Sequence, residues 1–563
     1  MKHVGPISGI AASSRGYIAT AGYDNKVVLW SSCDDTPIAR VWHDHLANQC
    51  SFSPDGMFLA TASSDYSARV WSVPQMTLVS VLGGHEDDVE MASFSPDGKR
   101  VATCSRDGKV RVFALHGALQ LLCAGHTADV ISVSWSQDGS HLLSSSDDGT
   151  IRHWDARDGR CTAVVDLGGV ETDTLVVTAA GQVLAGNDNG EIVAPSANGA
   201  RTWQAHRAGV KRLVYSEAKS MMVSLSYDRS MALWRVDSEG SLQLLDRAAL
   251  PPIVWPRSCG FDGDSRIVFG TFGSKYASYD FHTKAWSVDG IERDGSINAV
   301  AYHDGAVYTV GDAGVVHRDG VAVQDLGSLC NFLTPYDGGL FSGGQLGSLF
   351  DVLQGVSFYT HSSPINCCVV FNALDEQLAA FGAYDGTCLI FKVKEDSSPT
   401  FVRSIKLHGN AIKGLAFREG KLFSVCATGA TATHEIDSFK PVRGYCGAHE
   451  KIANGCAATR DGFASIGRDL KLRLWNDRGQ TDCLDSPHKN SIKCIAVSKD
   501  GEYIATGSYG GGVAVYSMSE SQWCVVERRS SAGISSLAAC DEGFLASSYD
   551  GCVHSIKWQR SAA

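Results

Sequence analysis

The stretches SFSPDGMFLATASSDYSARVW (residues 51–71), SFSPDGKRVATCSRDGKVRVF (93–113) and SWSQDGSHLLSSSDDGTIRHW (134–154) align without a gap. Each reads as a short strand, a turn rich in Asp and Gly, a second strand, an Asp-bearing turn, and a third strand ending on an aromatic residue. Asp and Gly at the turns, with β-branched or aromatic residues between them, are what tight antiparallel hairpins need. The closing aromatics Trp71, Phe113 and Trp154 are spaced by 42 and 41 residues, and Trp30 stands 41 residues before Trp71. Carried along the 563 residues, that phase gives fourteen repeats of about 40 residues, each completed by a weaker fourth strand and a loop. No segment sustains a helical apolar period, so helix is expected to be almost absent.

Composition agrees with this reading and removes several functions. The chain has 59 Gly and only 14 Pro, which suits strands joined by tight turns. Its net charge is 49 − 61 = −12 with no basic block, which makes nucleic acid a poor partner. Nothing reads as a secretory leader or a membrane-spanning apolar run, so the expected compartment is the cytoplasm, or the nucleus in a eukaryote. The 18 Cys are scattered with no CxxC spacing, and many interrupt strand patterns, as Cys50, Cys104, Cys367 and Cys368 do. They read as buried reduced thiols, and no metal site or cofactor is expected.

A His before the first strand, an Asp in the turn before the third and an aromatic at its end recur together. The triples are His85–Asp107–Phe113, His126–Asp148–Trp154, His206–Asp228–Trp234, His361–Asp385–Phe391 and His449–Asp469–Trp475, with His3–Asp24–Trp30 and His45–Asp65–Trp71 before them. In these residues the chain resembles the WD40 repeat family over essentially its full length. The resemblance implies a buried hydrogen-bond network of Asp, His, Ser or Thr, and Trp that pins each blade of a β-propeller. Eight repeats keep the Asp, the eighth being Asp550; Asn189, Gly273, Ala313, Leu346, Thr428 and Gly510 replace it elsewhere. A ring holds four to eight blades, so fourteen imply an all-β protein of two tandem seven-bladed WD40 propellers, residues 1–290 and 291–563. The last repeat is too short for a full fourth strand.

The His–Asp pairs look like catalytic dyads, but a catalytic site is needed once and a structural network once per blade, so no catalytic residue is assigned. HExxH, GxSxG and phosphate-loop motifs are absent. The resemblance places two positions per blade around the channel mouth: the residue before the turn Asp and the residue entering the inner strand. The first set is Tyr23, Ser64, Arg106, Asp147, Tyr227, Tyr384, Arg468, Tyr509 and Tyr549, whose five Tyr and two Arg are the residue types enriched in binding hot spots. In the second ring the other set is Asn298, Asn366, Lys413, Asn454, Lys493 and Ser535; in the first it is the less directional Ser8, Asn48, Glu90, Ile131 and Lys211. Lys413, Arg468 and Lys493 within a Tyr-rimmed face suit an acidic or phosphorylated segment of a protein partner. The Pro-rich insert at 242–258 carries Trp255, either a partner anchor or a plug for the seam between the two rings. The expected role is a non-enzymatic scaffold or adaptor subunit. The alternatives are a subunit that presents a peptide or small substrate to an enzyme partner, and an enzyme with a channel site.

Overall fold

The computed structural model describes residues 1–563 apart from 197–198, 293–294, 374, 395–396, 446–447, 477–478 and 558–563. Among the described residues every regular element is a strand, arranged as thirteen four-stranded antiparallel sheets and a final one of three strands, Ile534–Cys540, Gly543–Ser548 and Val553–Lys557. The sheets are numbered 1 to 14 here in chain order.

Position within a sheet explains the composition of each strand. Second strands such as Tyr17–Gly22 (YIATAG), Phe58–Ser63 (FLATAS) and Tyr503–Ser508 (YIATGS) are buried on both faces, because a neighbouring sheet packs on each side. Small residues are therefore required where sheets crowd together. A Cβ at Gly9 would lie 2.6 Å from the Gln49 Cα, and one at Gly414 would lie 2.7 Å from the Cys456 amide nitrogen. Fourth strands such as Pro37–Trp42 alternate between half-buried and exposed residues, as expected of the strand farthest from the centre.

The chain forms two compact units, Met1–Asp294 and Gly295–Ala563. In the first, the opening strands Ile7–Ser13, Ala47–Phe52, Val89–Phe94, Val130–Trp135, Thr174–Val177, Val210–Ser216 and Val254–Asp262 lie side by side in order, and the last returns to the first. The Ser258 hydroxyl seals that closure by accepting the Ile10 amide at 3.0 Å. Trp255 packs here too, edge-on to Tyr23 at 5.2 Å and against Phe272 at 5.4 Å, so the Pro-rich insert closes the first ring where sheet 7 meets sheet 1. The second unit repeats the arrangement, with Ile534–Cys540 returning against Ile297–His303.

The core lies between sheets. Sheets 2 and 3, for example, meet through Ala60, Ala62, Val70, Ala92, Val101 and Phe113. Sheet 9 has Leu346 in the Asp position, and aromatic packing holds it instead. Tyr336 stacks on Phe341 at 4.2 Å and donates its hydroxyl to Asp351, while Phe341, Phe358 and Phe381 interlock with Phe391 of sheet 10.

Candidate functional site

The His–Asp pairs form the expected network. In sheet 3 the His85 Nδ1 is 3.0 Å from Asp107 and its Nε2 is 2.8 Å from the Thr103 hydroxyl; Arg111 adds an ion pair to Asp107 at 2.7 Å. In sheet 4 Ser144 takes the place of Thr103, bonding His126 and accepting from the Trp154 Nε1, both at 2.8 Å. Sheet 12 joins His449, Asp469, Ser465, Trp475 and Arg473 in the same way. In sheet 6 the Asp228 carboxylate reaches His206 through Ser230, while Ser224 links His206 to Trp234.

Two assignments change. In sheet 2 the histidine is His43, 2.9 Å from Asp65 and 2.7 Å from Thr61, and not His45. His45 instead accepts the Leu46 amide within its own loop. His361 meets Asp385 through Nε2 at 3.0 Å, but Phe381 stands four residues before the Asp where other sheets place the bridging Ser or Thr, so sheet 10 has a pair and not a network.

Although a His, an Asp and a hydroxyl adjoin, the arrangement is inert as a triad. Ser144, Ser224 and Ser465 have no exposed surface, and each hydroxyl already bonds both His and Trp. Burial works against the charge on Asp107, but the His85 hydrogen bond and charge, aided by Arg111, hold its carboxyl well below the ordinary range.

Sheets 11 and 13 keep the histidine without the Asp, and burial pushes His408 and His488 down to about 4. Thr428→Asp is expected to stabilise sheet 11 by about 1 kcal/mol at pH 7, because the turn Thr428–Gly429 matches Asp107–Gly108 and the new carboxylate would accept from His408. The variant is also expected to lift the His408 pKa, as read by imidazole NMR titration. An unchanged titration would disprove the equivalence of the two turns.

The inner-strand entry positions share a backbone feature. Ser8, Asn48, Glu90, Ile131 and Lys211 in the first unit, and Asn298, Asn366, Lys413, Asn454, Lys493 and Ser535 in the second, are each the residue skipped by a β-bulge at the start of the first strand. A bulge releases its extra residue from the ladder and re-aims the side chain. Most of these side chains clip one sheet to the next. The Nδ2 groups of Asn48, Asn298, Asn366 and Asn454 donate to Val89, Cys330, Ile412 and Ile492 carbonyls at 2.6–3.2 Å, and the Ser8 hydroxyl donates to Ala47. Asn331, at the bulge of sheet 9, does the same to Ile365 at 2.9 Å and was absent from the sequence-derived set. The asparagines are thus structural.

In the first unit the remaining bulge residues sit among charges. Arg106 ion-pairs with Glu90 and with Asp129 at 2.9 Å, and Lys211 with Asp173 and with Asp188 at 2.6 Å. Arg257 reaches Glu90 at 3.3 Å and lies over Tyr23 and Trp255, while Lys211 lies over Tyr227 at 4.8 Å. Tyr23, Arg106 and Tyr227 are therefore brought together, each engaged inside the unit. Asp147 adds a carboxyl whose Oδ1 is sealed from solvent without a hydrogen-bond partner. Burial and then the neighbouring carboxylates raise Asp147 well above the ordinary range and push Glu171 up to about 7.

A raised acid binds its proton more tightly folded than unfolded, so its contribution favours the fold below the unfolded pKa and is lost as pH climbs through the folded one. Glu171→Gln is accordingly expected to gain about 1–2 kcal/mol at pH 8 relative to wild type, with the gain vanishing near pH 4. Thermal melts across that range would read it; a gain independent of pH would refute the shift.

The second unit assembles its cluster differently. Lys413 lies 4.2 Å over the Tyr384 ring and Lys493 6.0 Å over Tyr509, which stacks on Tyr549 at 6.4 Å. The Tyr509 phenol raises the Lys493 pKa, with lesser effects from Tyr384 and, in the opposite sense, Arg468. All six second-unit candidates thus fall into one half-buried group across sheets 10 to 14. Among the described residues, Lys413 and Lys493 make neither an inter-sheet clip nor an ion pair.

The family model described as "WD domain, G-beta repeat" matches residues 37–72, 76–113, 117–155 and 481–517. The chain carries WD40 repeats. Each matched WD40 window begins near the fourth strand of one sheet and ends on the third strand of the next, so the sequence repeat is offset by one strand from the sheets. Among curated proteins, the chain is similar to telomerase protein component 1 of Rattus norvegicus, with 26% identity over 38% of this chain and 8% of that protein. The general transcriptional corepressor TUP1 of Saccharomyces cerevisiae is 47% identical over 7% of this chain and 5% of its own length. Nuclear distribution protein PAC1 of Gibberella zeae is 29% identical over 15% of this chain and 20% of its own. The chain thus spans a small part of each relative.

The sequence-derived set left out Asp129, Glu171, Asp173, Asp188 and Arg257, although Asp188 precedes Asn189 at the aligned turn position; Glu171 and Asp188 are joined within sheet 5, where the Asp188 amide donates to the Glu171 carbonyl at 3.1 Å. Arg111 and Arg473 had a readable signal: each stands four residues after its turn Asp, as Arg69 does after Asp65.

Proposed function

We propose that this WD40-repeat chain is a non-enzymatic interaction scaffold, an adaptor subunit that holds an acidic or phosphorylated segment of a protein partner on its second unit. The observation that carries the reading is the pair Lys413 and Lys493. Each stands at a bulge where other sheets place an Asn that clips the next sheet, and each lies over a Tyr ring instead, with no ion pair among the described residues. A carboxylate or phosphate would complete both lysines with charge-assisted hydrogen bonds, with Arg468 and the tyrosines around it. The carboxylate-rich first unit would repel the same segment, which gives selectivity between the units. The names of two relatives, a telomerase component and a corepressor, fit a subunit that acts through other proteins.

In this reading residues 1–290 and 291–563 are separate seven-bladed propeller domains, nucleic acid is not the partner, and the work is done in the cytoplasm or nucleus. The test is fluorescence anisotropy with a labelled Glu- and Asp-rich peptide, alone and carrying a phosphoserine. Micromolar binding that weakens with salt is expected, with Lys413→Glu/Lys493→Glu losing at least about tenfold. Equal binding by wild type and variant would reject this face.

A further inference from the structure

Arg212 belongs to the layer of the first ring just inside the charged rim. The residues at the same register in sheets 1 to 4 are Gly9, Gln49, Met91 and Ser132, and none is acidic. The Arg212 Nε is sealed from solvent and has no hydrogen-bond partner, and its Nη1 reaches only the Met91 sulfur at 3.7 Å. Among the described residues no carboxylate pairs with it. The groups that bear on its charge are the thiols of Cys259, Cys50 and Cys104 and the like charge of Arg257. Burial pushes the Cys50 and Cys259 thiols up to about 12 and the Cys104 thiol well above its ordinary range, so they supply no countercharge. A guanidinium held this way is costly unless an anion comes to it.

We propose that Arg212 holds a small monovalent anion of the halide class at the centre of the first ring. The size follows from the layer above. Asp88, Glu90, Asp129, Asp147, Glu171, Asp173 and Asp188 surround Arg106, Lys211 and Arg257 there. Phosphate would have to pass these acids with its higher charge, and a peptide carboxylate would have to bring its chain past them. A single compact monoanion beside Arg212, with Arg257 nearby, meets less repulsion.

Bromide is the probe. Crystals of the full chain soaked in bromide should give an anomalous peak within about 4 Å of the Arg212 guanidinium. In solution, replacing gluconate by chloride at constant ionic strength should raise the melting temperature by about 2–4 °C. Arg212→Met should abolish that response and melt no lower than wild type in gluconate, because it removes the unpaired charge. Arg212→Lys, which keeps the charge without the Nε, should respond more weakly. A well-ordered ring with water but no bromide at Arg212 would overturn the proposal, as would an equal chloride response in Arg212→Met. The bromide map decides the matter even where a variant fails to fold.

Discussion

Ser465→Ala is expected to destabilise the second unit by about 3–4 kcal/mol. The Ser465 hydroxyl sits between the His449 Nε2 and the Trp475 Nε1, both at 2.8 Å, and none of its surface reaches solvent. Removing it leaves two buried ring nitrogens without partners. Each unsatisfied polar group costs about 1–3 kcal/mol, beyond the hydrogen bonds themselves. His449 also aligns Asp469, which holds Arg473, so the loss extends along the network. Ser465→Thr is the control, because Thr103 fills the same place in sheet 3 and still bonds its histidine. Urea unfolding measures both variants. A cost for Ser465→Ala below about 1 kcal/mol would show that packing alone holds sheet 12.

The second large effect is a gain in stability with a loss of binding. Lys413→Asn and Lys493→Asn install the residue found at the bulges of sheets 8, 9, 10 and 12, each of which donates across to the next sheet. Each substitution is expected to stabilise the second unit by about 0.5–1.5 kcal/mol, the net value of one buried hydrogen bond. Both lysines lie in the half-buried Tyr group, so the double variant should lose its hold on an acidic segment by at least about tenfold. A mutation that strengthens the fold while removing binding separates function from damage. Loss of stability in the Asn variants would mean that the lysines hold the ring together.

The repeat was legible because turns and strand-closing aromatics obey spacing alone: Trp30, Trp71, Phe113 and Trp154 mark one register in the sequence and third-strand ends in the structure. The His43–Asp65 pair was not. Histidine precedes its Asp by 22 residues in sheets 3, 4 and 6, but by 20 in sheet 12, so spacing could not choose between His43 and His45. Loop length varies, and only the ring's position against Thr61 decides. The bulge positions were visible as an aligned column, yet their clip depends on a carbonyl of the following sheet about 40 residues away, and no local pattern encodes that. The acid-rich rim of the first unit was hidden for the same reason. Asp129 precedes the first strand of sheet 4, while Glu171 and Asp188 flank strands of sheet 5, and the three meet only when the two sheets pack side by side.

The most direct test of the scaffold reading is affinity purification of the tagged chain from its source cells, wild type beside Lys413→Asn/Lys493→Asn, with mass spectrometry of whatever coelutes. The account predicts a stoichiometric protein with an acidic or phosphorylated segment that coelutes with wild type and is absent from a double variant of equal or higher melting temperature. The same partner retained at the same stoichiometry by both proteins would contradict it.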